Sequence, residues 1–499
     1  MKKYLCLLLF CSIPFKAFCT NDARAIEQVL STFGEYKNVT ITENESGYTL
    51  KFPQTNTIKQ TLDDHGKLVT VSGTVPAYEA TAVKNGRFDG QNIYKISTNS
   101  PNALLSYIYQ KYKTADIDVS EFSAAFNLVP SLNLIKSVDM NIQDLVIKSA
   151  ADQELGKIKQ AILKSNINIE GDKLIFNAIS NIKDAYINVL IFSVSVPEYI
   201  IKGTATYDNT SNIDYSQIPN DISSLQHSKS VIEIKNGEFT ILGIPLSASV
   251  GTSNKIDISD DGNTMQLTGK FVAKNIKLGN SSADIPQELL LQYNLSDIDR
   301  HKAIEFQNQR NKLRDFKFDD QKSDKEKLEE FNKLDKSCDA IADDIMKDIK
   351  LNLKGNVKYE KASIDVEGNF YKSGDYLAGK GNVVINNLDI LYPDLTAKCE
   401  QDKKEMQQKQ QNIADNQNIE NTIDSCIKNK TNMELRKYID FQKRTTDTDG
   451  QTVDKVELIA DETGIYANGQ KVKDAMSLKF DKKKAPIDPS VYTPTDKNQ

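Results

Sequence analysis

The sequence predicts a β-dominated α+β fold, with a long twisted antiparallel sheet running as a meander and helical excursions packed on it. From residue 117 to 295 most segments alternate apolar and polar residues, which is typical of strands that bury one face. The turns between them are short, as at Asp260-Asp261-Gly262, and helical crossovers are scarce, which favours antiparallel hairpins over βαβ units. The 499 residues are enough for two or three domains or for one long sheet.

The N-terminus has the pattern of a secretory signal. Lys2 and Lys3 precede a short apolar stretch from Tyr4 to Phe15, and Ala17-Phe18-Cys19 supplies small residues for cleavage after Cys19. We therefore expect an exported protein, in the periplasm first, with outer-membrane association or the cell surface as alternatives. Acylation of Cys19 and a retained N-terminal anchor are the other interpretations of this segment. No later run reaches the roughly 18 apolar residues of a membrane-spanning helix, so the mature chain is expected to contain none.

Changes in composition divide the rest of the chain. Asp22–Phe33 and Glu154–Lys164 carry apolar residues at helical spacing, and Ser100-Pro101 is a helix start. Ser323 and Glu326 form a capping box before a helix with a long apolar stripe. The predicted segments are a signal peptide (1–19), a β-rich body with short helices (20–296), a charged helical segment (297–350), antiparallel strands (351–393), a polar helical excursion (394–440), C-terminal strands (441–481) and a disordered tail (482–499).

One phrase recurs along the strand-rich segments. It alternates, reaches a central Asn, Lys-Asn or Asn-Asn, and then alternates again. We expect the polar positions to allow a bulge or turn without ending the sheet. Ordinary amphipathic strands and true internal repetition are both compatible with the pattern, whose spacing is irregular. The four copies are VDMNIQDLVI (138–147), VIEIKNGEFTI (231–241), GKFVAKNIKL (269–278) and GNVVINNLDIL (381–391).

The cysteines of the mature chain are Cys338, Cys399 and Cys426. In an exported protein this odd number indicates one disulfide and one remaining thiol. A Cys399–Cys426 bridge would staple the polar excursion and leave Cys338 as a buried thiol. Pairing of Cys338 with either partner would instead tie the two helical segments together. No CxxC motif occurs, which argues against redox catalysis.

Motifs for other chemistry are largely missing from the sequence. The net charge of −6 excludes a basic nucleic-acid surface, and no phosphate-binding glycine motif is present. His65 and His227 lie in turn-like contexts, whereas His301 with Asp297 and Asp299 forms a candidate metal or catalytic cluster. We expect each of the three histidines to be a surface residue rather than a general base. The segment 446–450 resembles a calcium loop, but the required ligand positions are wrong and a solvated turn is expected. We predict no catalytic, cofactor-binding or metal-binding residue and no cofactor.

Two segments are similar to a known family. GIYANGQKV (464–472) has an apolar–Tyr strand that turns through Asn-Gly, and QYNLSDIDRHKAIEFQNQ (292–309) leads from strand into helix. Both resemble the YdgA-like family of Gram-negative envelope proteins, and the strand pattern also resembles AsmA-like envelope proteins. The resemblance implies an envelope protein and carries over no catalytic residue, because the family's biochemical role is itself unclear.

Several functions follow as hypotheses. The first is a non-catalytic periplasmic scaffold or envelope-maintenance factor with protein or lipid partners. The second is a lipid or hydrophobic-ligand carrier, with Tyr186–Val196 and Ile241–Val250 lining an apolar groove. The third is a surface adhesin, and an enzyme is the least favoured. The sequence leaves the oligomeric state open.

Overall fold

The fold is β-dominated α+β, and the predicted long antiparallel meander is confirmed. The computed structural model describes residues 22–31, 38–62, 68–75, 77–100, 116–132, 134–148, 154–189, 192–208, 222–241, 244–278, 285–314, 316, 322–391, 401 and 436–478. In these ranges 21 strands belong to one sheet, and a separate hairpin forms a second. Every strand pairing in the described part is antiparallel, and most join sequence neighbours. The chain divides into two compact units, with β15 (Thr264–Leu278) divided between them.

Unit 1 comprises the described residues up to Leu267 together with Asp299–Ile345. Its ladder follows the order β1–β2–β5–β6–β8–β9–β10–β11–β12–β13–β14, with β7 also on β9 and β3 paired with β4. Its elements are α1 (Asp22–Ser31), β1 (Thr40–Asn44), β2 (Gly47–Phe52), β3 (Thr55–Leu62), β4 (Leu68–Val75), β5 (Tyr78–Phe88), β6 (Gln91–Thr98), β7 (Asp116–Asp118), β8 (Glu121–Val129), a 3₁₀ turn (Pro130–Leu132), β9 (Leu134–Lys148), β10 (Glu154–Glu170), β11 (Lys173–Val189), β12 (Phe192–Asp208), β13 (Leu225–Ile241), β14 (Ile244–Ile258), α2 (Arg300–Arg314) and α3 (Asp324–Met346, which ends in unit 2).

Unit 2 comprises Thr268–Ile298 and the described residues from Met346 to Lys479. Its ladder runs β16–β17–β18–β19–β21–β22–β23, with β20 also on β21. Its elements are β16 (Glu288–Asp299, whose last residue belongs to unit 1), β17 (Lys350–Lys358), β18 (Ser363–Ser373), β19 (Tyr376–Asn386), α4 (Leu388–Leu391), a 3₁₀ turn (Phe441–Lys443), β20 (Thr445–Thr446), β21 (Thr452–Asp461), β22 (Gly464–Ala467) and β23 (Gln470–Lys473).

Helix α1 covers the main apolar core of unit 1. Ile26 and Leu30 are buried in one cluster with side chains of β2, β5, β6, β8 and β9. The buried Tyr94 hydroxyl donates a hydrogen bond to Asp22 Oδ2 at 2.8 Å, and the Tyr78 hydroxyl reaches the Leu30 carbonyl at 3.3 Å. Burial, and then the bond to Asp22, raises the pKa of Tyr94 well above its usual range. The predicted helix Asp22–Phe33 is thus present as α1.

A line of irregular positions crosses neighbouring strands of unit 1, and we call it the crease. It consists of Asp144, Lys159, Asp184, Pro197 and Asn236, at which regular ladder pairing is interrupted between β9 and β13. On alternate strands the crease residue has left-handed φ: 48° at Asp144, 50° at Asp184 and 49° at Asn236. Asp and Asn tolerate this conformation better than other non-glycine residues.

The crease reverses which residues face the core. In a regular strand, residues three apart point to opposite faces. Across the crease they share a face, since Ile142 and Leu145 are both buried in the α1-covered core. Ile182 and Ala185 likewise pack in one cluster, which also holds Val196 and Tyr199. The apolar face therefore stays continuous although the sequence pattern slips by one residue.

This slip explains why the prediction of a helix over Glu154–Lys164 is wrong. The segment belongs to β10, which is paired with β9 on one side and β11 on the other. Ile158 and Ala161 flank the crease residue Lys159 and pack against the same core cluster. Their spacing of three imitates a helical stripe, and the two-sided ladder overrides the local preference.

The recurring phrase marks left-handed positions of this kind, but in the fourth copy Asn387 follows the last residue of β19 and precedes α4, so there the strand ends instead of continuing. In all four copies, the polar residue just before the second alternating stretch has positive φ. These residues are Asp144, Asn236, Asn275 (54°) and Asn387 (58°). In the first copy the irregular residue is Asp144 rather than the central Asn141. Asp184 and Asp297 occupy the same context outside the four phrases, with φ of 50° and 61°.

The predicted capping box is present at the start of α3. Glu326 accepts a hydrogen bond from the Ser323 backbone nitrogen at 2.9 Å, and the Glu326 nitrogen donates to Ser323 Oγ at 3.4 Å. Leu328 and Cys338 on the predicted stripe are buried. The predicted helix after Ser100-Pro101, most of the polar excursion and the tail lie outside the described residues.

Candidate functional site

The sheet formed by β16–β19 and β21 has two chemically different faces. On one, the apolar face, a transverse row runs Leu291–Gly355–Val366–Val383–Val456 across the five strands. On the other, the polar face, a row runs Asn294–Asn352–Asn369–Lys380–Ile459. Strict alternation along each strand produces this separation.

Glycines let aromatic rings lie close against the apolar face. Gly368 and Gly381 are direct partners on β18 and β19. A Cβ on Gly368 would lie 2.4 Å from the Phe370 ring, and one on Gly381 would lie 2.8 Å from the Glu367 carbonyl oxygen. On β15 a Cβ at Gly269 would overlap the Tyr293 ring. Aromatic rings thus cover positions where strands lack side chains.

Two cavities open on the polar face. The larger, about 890 Å³, is lined by residues that include Lys350, Asn352, Asn369, Tyr371 and Lys380. The smaller, about 550 Å³, is lined by polar residues of the same strands together with Leu290 and Val384. Tyr371 is 52% exposed, although large aromatic side chains are ordinarily well covered.

Charges on the polar face are balanced within the sheet. Lys354 approaches Glu367 at 3.6 Å, and Asn356 donates a hydrogen bond to Asp365 at 2.7 Å. Lys350 is 2.8 Å from Asp297, and this hydrogen bond and ion pair raise the pKa of Lys350. The face therefore offers amides, ammonium groups and carboxylates without a dominant sign of charge.

A second polar cluster joins β21 to the chain that enters β20. Arg444 makes a two-pronged contact with the buried Asp454, at 2.8 and 2.7 Å. Asp389 accepts from Arg444 and from Arg436, each at 2.7 Å. Both guanidinium groups lie about 5 Å from the Phe441 ring, at 4.9 and 5.0 Å. Burial raises the pKa of Asp389, but its bonds to Arg444 and Arg436 outweigh this and lower it. Every charge here has a partner, as expected of a structural clamp.

The candidate cluster around His301 consists of residues with separate structural roles. Asp297 pairs with Lys350 at 2.8 Å, and Asp299 Oδ1 accepts from the Lys302 backbone nitrogen at 3.1 Å near the start of α2. In the described ranges no group of three or more His, Cys, Asp or Glu side chains is placed to hold a metal ion. That His301 is an ordinary surface residue without a metal or catalytic role remains a prediction.

The other candidate residues divide between described and undescribed parts. Cys338 is buried and free, and burial, followed by the charge of Asp335, raises the pKa of its thiol. Cys19, Cys399 and Cys426 lie outside the described residues, so the disulfide and the cleavage site stay predictions.

His227 and the loop at 446–450 have local structural partners, whereas His65 lies outside the described residues. His227 lies within β13 rather than in the turn-like context that the sequence indicated, and its Nδ1 is 2.7 Å from Asp257 on the neighbouring strand. Asp447 Oδ1 accepts from the backbone nitrogens of Asp449 and Gln451, at 2.9 and 2.8 Å. The segment is therefore a hairpin turn between β20 and β21, as the sequence indicated.

The stretches predicted to line an apolar groove, Tyr186–Val196 and Ile241–Val250, do not line either cavity of the polar face. Sequence reasoning missed Tyr371 and the Arg444 clamp. Tyr371 could have been found from alternation, because Phe370 beside it must face the opposite way. The clamp joins residues up to 55 positions apart, and only the fold shows their proximity.

Comparisons with known proteins give no relative: no family model, no curated protein and no solved structure matches this chain. Among the residues the structure describes, none of the helices has both the length and the apolar character needed to cross a membrane.

Proposed function

We propose that this chain is a non-catalytic exported envelope protein, a scaffold or maintenance factor that uses faces of its sheet as binding surfaces. The observation that supports this best is the two-faced sheet of unit 2, where a charge-balanced polar face with open cavities backs onto an apolar face. Such a surface suits binding, whereas enzymes usually converge their polar groups in one enclosed pocket. The charged groups around Arg444 and around Asp257 are paired within the fold.

The test is to express the full chain with its own signal in a Gram-negative host. Fractionation, together with protease treatment of intact and permeabilised cells, separates a periplasmic from a surface location. Crosslinking followed by mass spectrometry then identifies neighbours. Recovery in the periplasm with reproducible crosslinks to envelope proteins supports the scaffold. Retention in the cytoplasm with an uncut N-terminus would contradict it, and cleavage already on intact cells would favour the adhesin.

A hydrophobic-ligand carrier is the second candidate, and the apolar face of unit 2 favours it. Leu291 on that face is 37% exposed. A lipid chain could cover this surface and gain roughly 25 cal/mol for each Å² of apolar area removed from water. Native mass spectrometry of the exported protein tests this candidate. Extra mass in the range of a phospholipid that disappears on denaturation supports it, and a bare mass contradicts it.

A further inference from the structure

The larger cavity of the polar face has the composition of a sugar-binding surface. It carries an exposed aromatic ring, Tyr371, beside the side-chain amides Asn352 and Asn369, which lie directly opposite one another on β17 and β18. Tyr371 is two residues from Asn369, so the ring and the amides share one face. A flat ring flanked by hydrogen-bonding groups matches a pyranose, which presents a C–H face and a rim of polar groups.

The charge balance narrows the class of ligand. The cavity is lined by two lysines, Lys350 and Lys380, and by two acidic residues, Asp461 and Glu462. The neighbouring cavity again combines two lysines with two acidic residues. A polyanion would need an excess of positive charge, and a lipid tail would need an apolar lining. A neutral, polar chain requires neither an excess of positive charge nor an apolar lining, so it matches this cavity.

The mixture of amides and small apolar groups narrows it further. Lys380 faces Asn369 on one side and Ile459 on the other within the transverse row, and Ala378 also lines the cavity. An acetamido group has one donor, one acceptor and a methyl. Asparagine side chains pair with the first two, and Ile459 or Ala378 can contact the third. We infer that the polar face of unit 2 binds a neutral glycan of N-acetylated hexosamines, with Tyr371 as the stacking platform.

This inference goes beyond the proposed function, because it concerns unit 2 in solution and does not depend on where the protein resides. The experiment is isothermal titration of the full mature chain with the tetramer of N-acetylglucosamine. Its fully de-N-acetylated form and cellotetraose serve as comparison ligands. We expect the N-acetylated tetramer to bind with a dissociation constant of about 1 mM or below, and both comparison ligands to bind at least about tenfold more weakly.

Three variants locate the binding. Tyr371→Ala removes the ring and should weaken binding about tenfold or more, whereas Tyr371→Phe keeps the ring and should stay within about threefold. Leu291→Ala is the control, since it truncates an exposed side chain on the opposite face of the same sheet and should leave binding unchanged. Circular dichroism confirms that each variant is folded.

The outcomes separate cleanly. Binding that needs both the acetyl groups and the Tyr371 ring supports the inference. Absence of heat at about 10 mM tetramer overturns it, since that affinity would be too weak for a built site. Equal binding by Tyr371→Ala, or equal binding of cellotetraose, also overturns it.

Discussion

The two units maintain a one-sided apolar face in different ways. In unit 1 the strands β9 to β13 cross the crease, where left-handed Asp and Asn residues invert the alternation and the apolar pattern slips with it. In unit 2 the strands β17 and β18 alternate without interruption, and glycines on the apolar face receive aromatic rings, while left-handed residues occur only at Asn275 in β15 and Asp297 near the end of β16 among the described strands up to β18. In the sequence, the first arrangement is marked by Asp or Asn between two alternating stretches, and the second by glycines such as Gly368 and Gly381.

A break in period-two alternation therefore need not end a strand. A plain alternation rule would place Leu145 in solvent and Asp144 in the core. The structure does the reverse, because one residue of left-handed backbone is cheaper than burying a carboxylate. The strands β17 and β18 of unit 2 alternate without a break and contain no left-handed residue.

The largest change in the free energy of unfolding is expected at Leu145, a crease neighbour that is 1% exposed. Leu145→Ala should lower the free energy of unfolding by about 3 kcal/mol, through lost burial and a cavity. Val146→Ala, on the outward-facing neighbour, should cost less than about 1 kcal/mol. Urea denaturation followed by circular dichroism measures both. A larger cost at Val146 would show that the strand is not inverted.

The next effect concerns the clamp of unit 2. Asp454→Asn leaves Arg444 with only Asp389 as a charged partner, so we expect a loss of about 2 kcal/mol. Asp389→Asn, at a half-exposed position, should cost less, because solvent screens this pair. Urea denaturation measures the loss of stability in both variants. A larger loss for Asp389→Asn than for Asp454→Asn would show that Asp389 is the main partner of Arg444.

Glycine substitutions compare a closely packed site in unit 2 with an open site in unit 1. Gly381→Ala in unit 2 places a Cβ 2.8 Å from a backbone oxygen and should cost about 1.5 kcal/mol. Gly203→Ala in β12 meets no atom within 4 Å, so its effect should stay within about 0.5 kcal/mol. Equal effects would mean that the glycines of unit 2 are not required for close packing.

Within the crease, Asp184→Val should cost about 1 to 2 kcal/mol, because a β-branched residue resists left-handed φ. Asp184→Asn should be nearly neutral, since Asn accepts the same backbone conformation. Thermal denaturation of the pair measures the difference. A neutral valine variant would mean that the left-handed backbone is not needed at this position.

The smallest effect is a difference in pH dependence. The pKa of Asp389 is lowered, so its contribution in unit 2 is complete above about pH 4 and is lost as the pH falls. The pKa of Tyr94 is raised, so its contribution in unit 1 is complete below about pH 10 and is lost as the pH rises further. Compared with the unmodified chain, the melting temperature of Asp389→Asn should fall less as the pH is lowered, and that of Tyr94→Phe should fall less as the pH is raised. A pH dependence equal to that of the unmodified chain would contradict these assignments.

Much of the fold was predictable from local patterns. Alternation and short turns predicted the antiparallel meander, and Ser323 with Glu326 predicted the start of α3. The helix proposed for Glu154–Lys164 was wrong because the inversion at Lys159 gives a strand the spacing of a helix. The crease forms only because irregular positions on neighbouring strands lie side by side, and the sequence of one strand does not show this alignment.

Less of the candidate site was predictable. The exposure of Tyr371 depends on what covers the polar face, and the Arg444 clamp depends on long-range pairing with Asp389. The predicted groove was sought in the longest apolar stretches, whereas the described cavities lie on polar strands. Hydrophobicity marked the core and gave no indication of the binding surface.

The crease keeps one apolar face by inverting each strand from β9 to β13. Single cysteines at positions 182 to 185 of β11, in a chain whose mature cysteines are replaced by serine, test it directly through their rates of reaction with a water-soluble maleimide. Ile182 is buried, Lys183 and Asp184 are exposed, and Ala185 is part-buried. We predict fast reaction at 183 and 184 and slow reaction at 182 and 185. Alternating rates, with 182 and 184 slow and 183 and 185 fast, would contradict the account.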